Sequence, residues 1–252
     1  MSTQVKLIVC DVDGTLLKKN ETNPSPDVLN MIENVRKSGK LFALSSGRSK
    51  NNLLKLFPDS RDIFLIPSDG SGISINGELI YSKPIEPQIL AKILPHLRGT
   101  DFVLYSSDSC FASTDFIADF VRTAENEKVF ALNNLRKTDL IYKLAIFKMR
   151  FSPLYAENYI KNNRLLNICY DKPDLKEFVS PKADKGEALF FLQNRYNIKY
   201  EETAAFGDNF NDILMLKRAH FSYAVSGARP EIKALARFFT ENAVNEIVNN
   251  LI

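Results

Sequence analysis

Histidine and cysteine are scarce in this chain. Its two histidines, His96 and His220, stand far apart in 252 residues, which argues against a histidine phosphatase or a His-rich dinuclear centre. Its three cysteines, Cys10, Cys110 and Cys169, are isolated and lack CxxC spacing. They fit buried apolar roles in a reducing compartment. None is followed six residues later by the arginine of a thiol phosphatase, because those positions hold Leu16, Phe116 and Leu175. No stretch approaches the roughly 18 consecutive apolar residues of a membrane span. Met1-Ser2-Thr3-Gln4-Val5 is no basic leader followed by a long apolar run. The net charge is only +3, and Lys and Arg are spread without a basic block, so neither nucleic acid nor a membrane is an expected partner. The expectation is a cytoplasmic protein, monomeric or weakly dimeric, that acts on a small molecule.

What is present is a strand that ends in acid. Val5-Lys6-Leu7-Ile8-Val9-Cys10 runs into Asp11-Val12-Asp13-Gly14-Thr15-Leu16. Along a strand, residues i and i+2 share a side, so Asp11 and Asp13 aim at one small volume. Two carboxylates that close need a cation or a shared proton between them. The pair therefore suits a metal, a nucleophile or an acid–base pair. A calcium EF-hand loop places its glycine later and follows a helix, so it fits poorly.

The first 82 residues read as alternating strands and helices. Ser25 is a helix N-cap with Pro26 as first helical residue, and Val28, Leu29, Ile32 and Val35 recur at helical spacing up to Gly39. Lys40-Leu41-Phe42-Ala43-Leu44 is a short strand ending in Ser45-Ser46-Gly47-Arg48. The order strand, helix, strand predicts a parallel sheet, where ligand groups gather at the carboxyl ends of strands. Residues 49–57 read as a helix, 63–67 as a strand and 68–72 as a turn. Residues 73–75 and 79–81 read as a hairpin around Asn76-Gly77. From 83 to 181 the texture changes to an inserted α+β unit. Strands are predicted at 102–107, 110–113, 142–149 and 165–170, and helices at 116–127 and 153–162. The parallel texture then returns with a helix opening at Lys185-Gly186, a strand at 203–206, a helix from Ile213, a strand at 221–225 and a helix at 230–237.

A second acidic cluster, Gly207-Asp208-Asn209-Phe210-Asn211-Asp212, follows the strand at 203–206. The two clusters meet only if their strands are neighbours. Their hard oxygen donors suit Mg²⁺. Read alone, Ser46 is also a helix N-cap, Lys185 a solvated lysine and Arg48 a surface ion pair. A nucleotide P-loop is excluded: Gly72 and Gly77 have its glycine spacing, but Glu78 stands where the lysine belongs.

Four segments occur in order: Asp11-Val12-Asp13-Gly14-Thr15-Leu16, Ser46-Gly47-Arg48, Lys185-Gly186 and Gly207-Asp208-Asn209-Phe210-Asn211-Asp212. Together they resemble the four motifs of the haloacid dehalogenase-like superfamily, in its Cof-type sugar-phosphatase branch. The resemblance spans essentially the whole chain. It implies an α/β fold, a Rossmann-like parallel sheet core formed by 1–82 and 182–252 with an inserted α+β cap domain at 83–181.

The resemblance also implies Mg²⁺-dependent hydrolysis of small phosphate monoesters, sugar or polyol phosphates, through an aspartyl-phosphate. Asp11 is then nucleophile and metal ligand. Asp13 is the acid–base and lends the metal its main-chain carbonyl, and Asp208 is the third ligand. Lys185 offsets charge on the phosphoryl group and Asp11. Ser46, with Gly47, Arg48 and the backbone of Gly14 and Thr15, holds phosphate or substrate. Asn211 and Asp212 orient metal waters, Lys185 or the phosphate. A phosphomutase of the same superfamily and a non-catalytic sugar-phosphate-binding protein are the alternative functions. The chain departs from the branch at Asp69-Gly70, where Asn-Gly is usual, and at Ser226-Gly227-Ala228, where Gly-Asn-Ala is usual. In the insert, Lys143, Lys148 and Arg150 are candidate cations for the substrate, or else a solvated strand face.

Overall fold

The computed structural model describes residues 4–18, 21–125, 127–148 and 154–252. Met1, Ser2, Thr3, Met149, Arg150 and Pro153 lie outside them. The chain runs β1 (Leu7–Asp11), α1 (Pro26–Lys37), β2 (Leu41–Ser45), α2 (Lys50–Leu56), β3 (Ile63–Ile66), β4 (Gly72–Ile75) and β5 (Glu78–Ser82). It continues through α3 (Pro87–Ile93), β6 (Asp101–Tyr105), β7 (Cys110–Ala112), α4 (Asp115–Glu125), β8 (Val129–Ala131), β9 (Lys143–Phe147), α5 (Leu154–Asn162), β10 (Asn167–Asp171) and β11 (Leu175–Val179). It closes with α6 (Lys185–Arg195), β12 (Thr203–Gly207), α7 (Ile213–Lys217), β13 (Phe221–Val225), α8 (Pro230–Leu235), β14 (Phe238–Thr240) and α9 (Ala243–Glu246).

Two sheets result. The first has the order β14-β13-β12-β1-β2-β3-β4-β5. Its six strands from β14 to β3 are parallel, and β4 and β5 are antiparallel additions. All five β1 residues are buried, as a central parallel strand covered on both faces requires. Helix α1 begins as its sequence dictates: Ser25 accepts from the Val28 amide and Pro26 occupies the first turn. It buries Val28, Met31, Ile32 and Val35. Leu29, expected on that face, is 45% exposed, and Met31 takes its place. Full burial of each such side chain contributes about 1.5–3 kcal/mol. The β4–β5 turn is tight because Asn76 and Gly77 both have positive φ, 49° and 84°, the conformation of a two-residue hairpin loop.

The second sheet, β10-β11-β9-β6-β7-β8, is built wholly from residues between β5 and α6. Helices α3 and α5 share one core with it, including Leu90, Ile93, Phe102, Leu144, Ile160 and Phe178. Helix α4 covers a second core around Val103, Cys110 and Ala145. Here the elements depart from the sequence expectation. The helix expected at 116–127 spans Asp115–Glu125, and β8, β11 and α3 have no counterpart in it. Strand β14 is likewise new.

The two sheets are tied together at the carboxyl end of β2. The Lys143 ammonium donates to the Gly47 carbonyl at 3.0 Å, Ser49 donates to Glu127, and Asn51 donates to the other Glu127 oxygen at 3.2 Å. Among the described residues, no helix is long and apolar enough to cross a membrane.

Candidate active site

Strands β1 and β12 are hydrogen-bonded neighbours with Cys10 opposite Phe206. Sheet order reverses there, β2 and β3 lying to one side and β13 and β14 to the other. This is where an open parallel sheet forms its ligand crevice. It sets Asp11, at the end of β1, against Asp208, just past β12. One oxygen each from Asp11, Asp208 and Asp212 lies within 4.8 Å of the others. Asp212, expected to orient metal waters, Lys185 or the phosphate, supplies the third side chain of this cluster, and the Asp13 side chain, expected to lend the metal only a main-chain carbonyl, lies outside it. The reason is local: Asp13 lies beyond the strand, in a turn where Gly14 has φ +97°.

Lys185 is fully buried, and its ammonium lies 2.6 Å from Asp11 Oδ1 and 2.7 Å from Asp212 Oδ1. Burial alone would lower its pKa, but Asp11 and Asp212 outweigh that and hold it above the ordinary lysine range. One lysine does not balance three carboxylates. Burial first, then Asp212, pushes the Asp11 carboxyl well above its usual range. The same two causes push Asp208 up to about 6. Asp11 Oδ2 is buried with no hydrogen-bond partner. A buried oxygen so placed, beside further carboxylates, fits a hard divalent cation.

Glycines permit the close approaches. A Cβ on Gly14 would lie 2.4 Å from Asp208 Oδ2, and one on Gly207 would lie 2.6 Å from Asp212 Cβ. Asp212 Oδ2 in turn accepts the amides of Asp208 and Asn209 at 3.0 and 3.1 Å, fixing the loop that carries Asp208. Lys185 opens α6, whose N-cap Asp184 accepts from the Glu187 amide. Its neighbour Gly186 packs on α7 so closely that a Cβ would sit 2.7 Å from Leu214 backbone atoms. Gly186→Ala should therefore push α6 off α7, cost about 1–3 kcal/mol, and displace the Lys185 ammonium. Thermal unfolding and turnover should fall together; full activity in a destabilised variant would count against this positioning.

The other expected residues lie along the same rim. Ser46 is buried, donates to Asp13 Oδ2 at 3.3 Å and accepts the Arg48 amide at 3.1 Å. It is not the N-cap of α2, which is Ser49. Arg48 holds Asp13 with Nε and Nη2, at 2.9 Å to Oδ2 and 2.7 Å to Oδ1. Thr15 donates to Asp208 at 3.4 Å. Asn211 donates to Asp69 Oδ1 at 2.7 Å, and Asp69 is buried in the left-handed region, φ 53°.

A cleft of about 420 Å³ opens between the two sheets. Asp11, Asp13, Gly47, Arg48, Asp208 and Asn211 line one wall; Glu125, Lys143, Cys169, Tyr170 and Glu177 line the other. Of the insert's candidate cations, Lys143 reaches the cleft. Lys148 pairs with Glu157 at 3.2 Å instead, and Arg150 lies outside the described residues. Glu125, Tyr170 and Glu177 escaped the sequence reading. A glutamate ending an amphipathic helix reads as solvated, and Leu175–Val179 is too mixed in polarity to announce a strand.

Convergent carboxylates and one buried lysine stand at the strand ends of a parallel α/β sheet. The family model for haloacid dehalogenase-like hydrolases matches residues 8–252, and the chain belongs to that family. The Bacillus subtilis protein Phosphatase YwpJ is 26% identical, over 98% of this chain and all of its own length. The Escherichia coli 5-amino-6-(5-phospho-D-ribitylamino)uracil phosphatase YbjI is 21% identical, over 93% of this chain and 90% of its own. A solved haloacid dehalogenase-like hydrolase from B. subtilis has the same fold, with TM-score 0.81 at 23% identity over 98% of this chain and 100% of its own.

Proposed function

We propose that the protein is a Mg²⁺-dependent phosphatase that hydrolyses small sugar or polyol phosphates through an aspartyl-phosphate on Asp11. The phosphatase class follows from the family and from its relatives' names. The E. coli relative's named substrate is itself a phosphorylated ribityl compound, which supports the polyol class. The observation that carries the mechanism is Asp11 itself: Lys185 pins Oδ1, while buried Oδ2 has no partner and Asp11 lines the cleft.

In this reading the Asp11 carboxylate attacks phosphorus. The bond to the leaving oxygen breaks as Asp13 gives that oxygen a proton. Asp13 then takes a proton from the water that attacks the aspartyl-phosphate, which frees the Asp11 carboxylate and returns Asp13 to its protonated form. Lys185 keeps Asp11 in line and offsets negative charge. Ser46, Gly47 and the backbone amides after Asp11 hold the transferring group. Arg48 orients Asp13, and Asn211 and Asp212 hold the loop bearing Asp208. Asp11, Asp208 and the Asp13 carbonyl would hold Mg²⁺, which supplies Lewis-acid neutralisation of the meeting anions. Residues 83–181 act as the cap over a core formed by 1–82 and 182–252. The three free thiols fit the proposed cytoplasmic location.

The test is phosphate release with Mg²⁺ across sugar, polyol and nucleotide monophosphates, with hexose 1-phosphates followed for isomerisation. Release supports the hydrolase. Isomerisation without release would favour a mutase, and silence across the panel would leave a binding protein. Asp208→Ala should abolish most of the rise in thermal midpoint that Mg²⁺ gives the native protein, and depress the rate with it. An unchanged Mg²⁺ titration would remove Asp208 from the ligand set. Arg48→Ala frees Asp13 from its two-pronged hold and should lower kcat by roughly 10–100-fold, the scale of a misplaced catalytic group. A change in KM alone would make Arg48 a binding residue.

A further inference from the structure

The wall of the cleft opposite Asp11 is acidic, and the cations near it are already engaged. Lys143 is 5% exposed. Its ammonium donates to Glu177 at 2.6 Å and to the Gly47 carbonyl at 3.0 Å, and it lies 4.6 Å from the centre of the Tyr105 ring. An ammonium has three donors, so little of this one remains for an incoming anion. Arg48 is committed to Asp13 through two nitrogens. Glu125, by contrast, accepts the Tyr105 hydroxyl, 3.0 Å from either oxygen, and no other side chain among the described residues. Among the described residues it forms no ion pair within 4 Å. With Glu177 it places two carboxylates against one spent lysine, and Asn52 and Tyr170 on the same cleft add neutral hydrogen-bonding groups.

Among the described residues, this wall offers a second phosphate or a carboxylate on the leaving group no free cation. A protonated amine would meet Glu125, which has no ion-pair partner within 4 Å among the described residues. We propose that the leaving-group side of the cleft selects a polyol that carries an ammonium, as in an amino-sugar monophosphate, and rejects bisphosphates. The inference rests on the phosphatase reading of the same cleft. It also weighs against the mutase alternative, which needs a bisphosphate to lodge there. Charge-assisted hydrogen bonds are about twice as strong as neutral ones, and tenfold in rate requires only about 1.4 kcal/mol.

The test compares kcat/KM for glucosamine 6-phosphate, glucose 6-phosphate and fructose 1,6-bisphosphate with saturating Mg²⁺, beside p-nitrophenyl phosphate as a general monoester. Glucosamine 6-phosphate should exceed glucose 6-phosphate by about tenfold or more, and the bisphosphate should fall about tenfold below it. Glu125→Gln should bring the amine preference to within about threefold of unity. Equal rates for the three sugars, or a bisphosphate preferred, would overturn the proposal while p-nitrophenyl phosphate turnover left the phosphatase reading standing. No release from any of the four would remove both. A folded Glu125→Gln that kept the full amine preference would take Glu125 out of the selection. If that variant does not fold, the wild-type ratios decide alone.

Discussion

Asp11→Asn should lower phosphate release by roughly 10³-fold or more, the scale seen when a covalent nucleophile is removed. The amide keeps the size of the carboxylate and loses the charge that makes it a nucleophile. The fold should survive. Lys185 loses one of its two anionic partners and keeps Asp212 at 2.7 Å, and the crowding of three carboxylates around one lysine is relieved. The thermal midpoint of the metal-free protein should therefore stay within a few degrees of the native value. Phosphate-release kinetics and a melting curve on the same preparation check both halves. A variant that keeps more than about 1% of native turnover would refute attack by Asp11.

Lys185→Met should damage stability and activity together. Methionine fills much of the space, but Asp11 and Asp212 then stand buried with no cation between them. Removing one partner of a buried ion pair costs about 3–5 kcal/mol. At roughly 2–4 °C per kcal/mol for a chain of this size, the melting temperature should fall by about 6–20 °C. Adding Asp212→Asn should recover part of that loss, because it removes one of the stranded charges, while turnover stays absent. Equal melting temperatures for Lys185→Met and the native protein would mean that Lys185 is not the counter-charge of this cluster.

The chemistry of the site is legible in the sequence because it sits on four short segments. Each follows or opens a single element: Asp11 ends β1, Ser46 and Arg48 follow β2, Lys185 opens α6 and Asp208 follows β12. Within such a segment, spacing along the chain dictates direction, and glycine marks where backbones approach. The core strands are legible for the same reason, since a parallel strand buried on both faces is a continuous apolar run. The insert is harder to read. Strand β11, Leu175–Val179, carries Lys176 and Glu177 in its middle. Their charges become tolerable only beside Glu157 and Lys143, partners that local sequence does not reveal. Strands β8 and β14 have three residues each, too few for a period of two to register.

Asp13 and Arg48 show where local reading ends. They are 35 positions apart, and nothing in either motif says that the guanidinium will clasp the Asp13 carboxylate and not a phosphate. Asp69 is similar. Its departure from the usual asparagine is visible in the chain, but only the fold shows its carboxylate taken up by Asn211, 142 positions away.

The sequence by itself determined the inventory: two acidic clusters at strand ends, a lysine at a helix start, and few histidines or cysteines to compete with them. Local spacing and propensity act over a few residues, and that inventory needs no more. The tertiary structure decided the pairings. Placing β12 beside β1 brought Asp208 to Asp11, and docking α6 on α7 drove Lys185 between residues 174 and 27 positions distant. Folding the insert back over β2 gave the cleft its acidic far wall. These contacts depend on the order of strands in the sheet and on burial of charge among distant elements, neither of which is written in the spacing of any one segment.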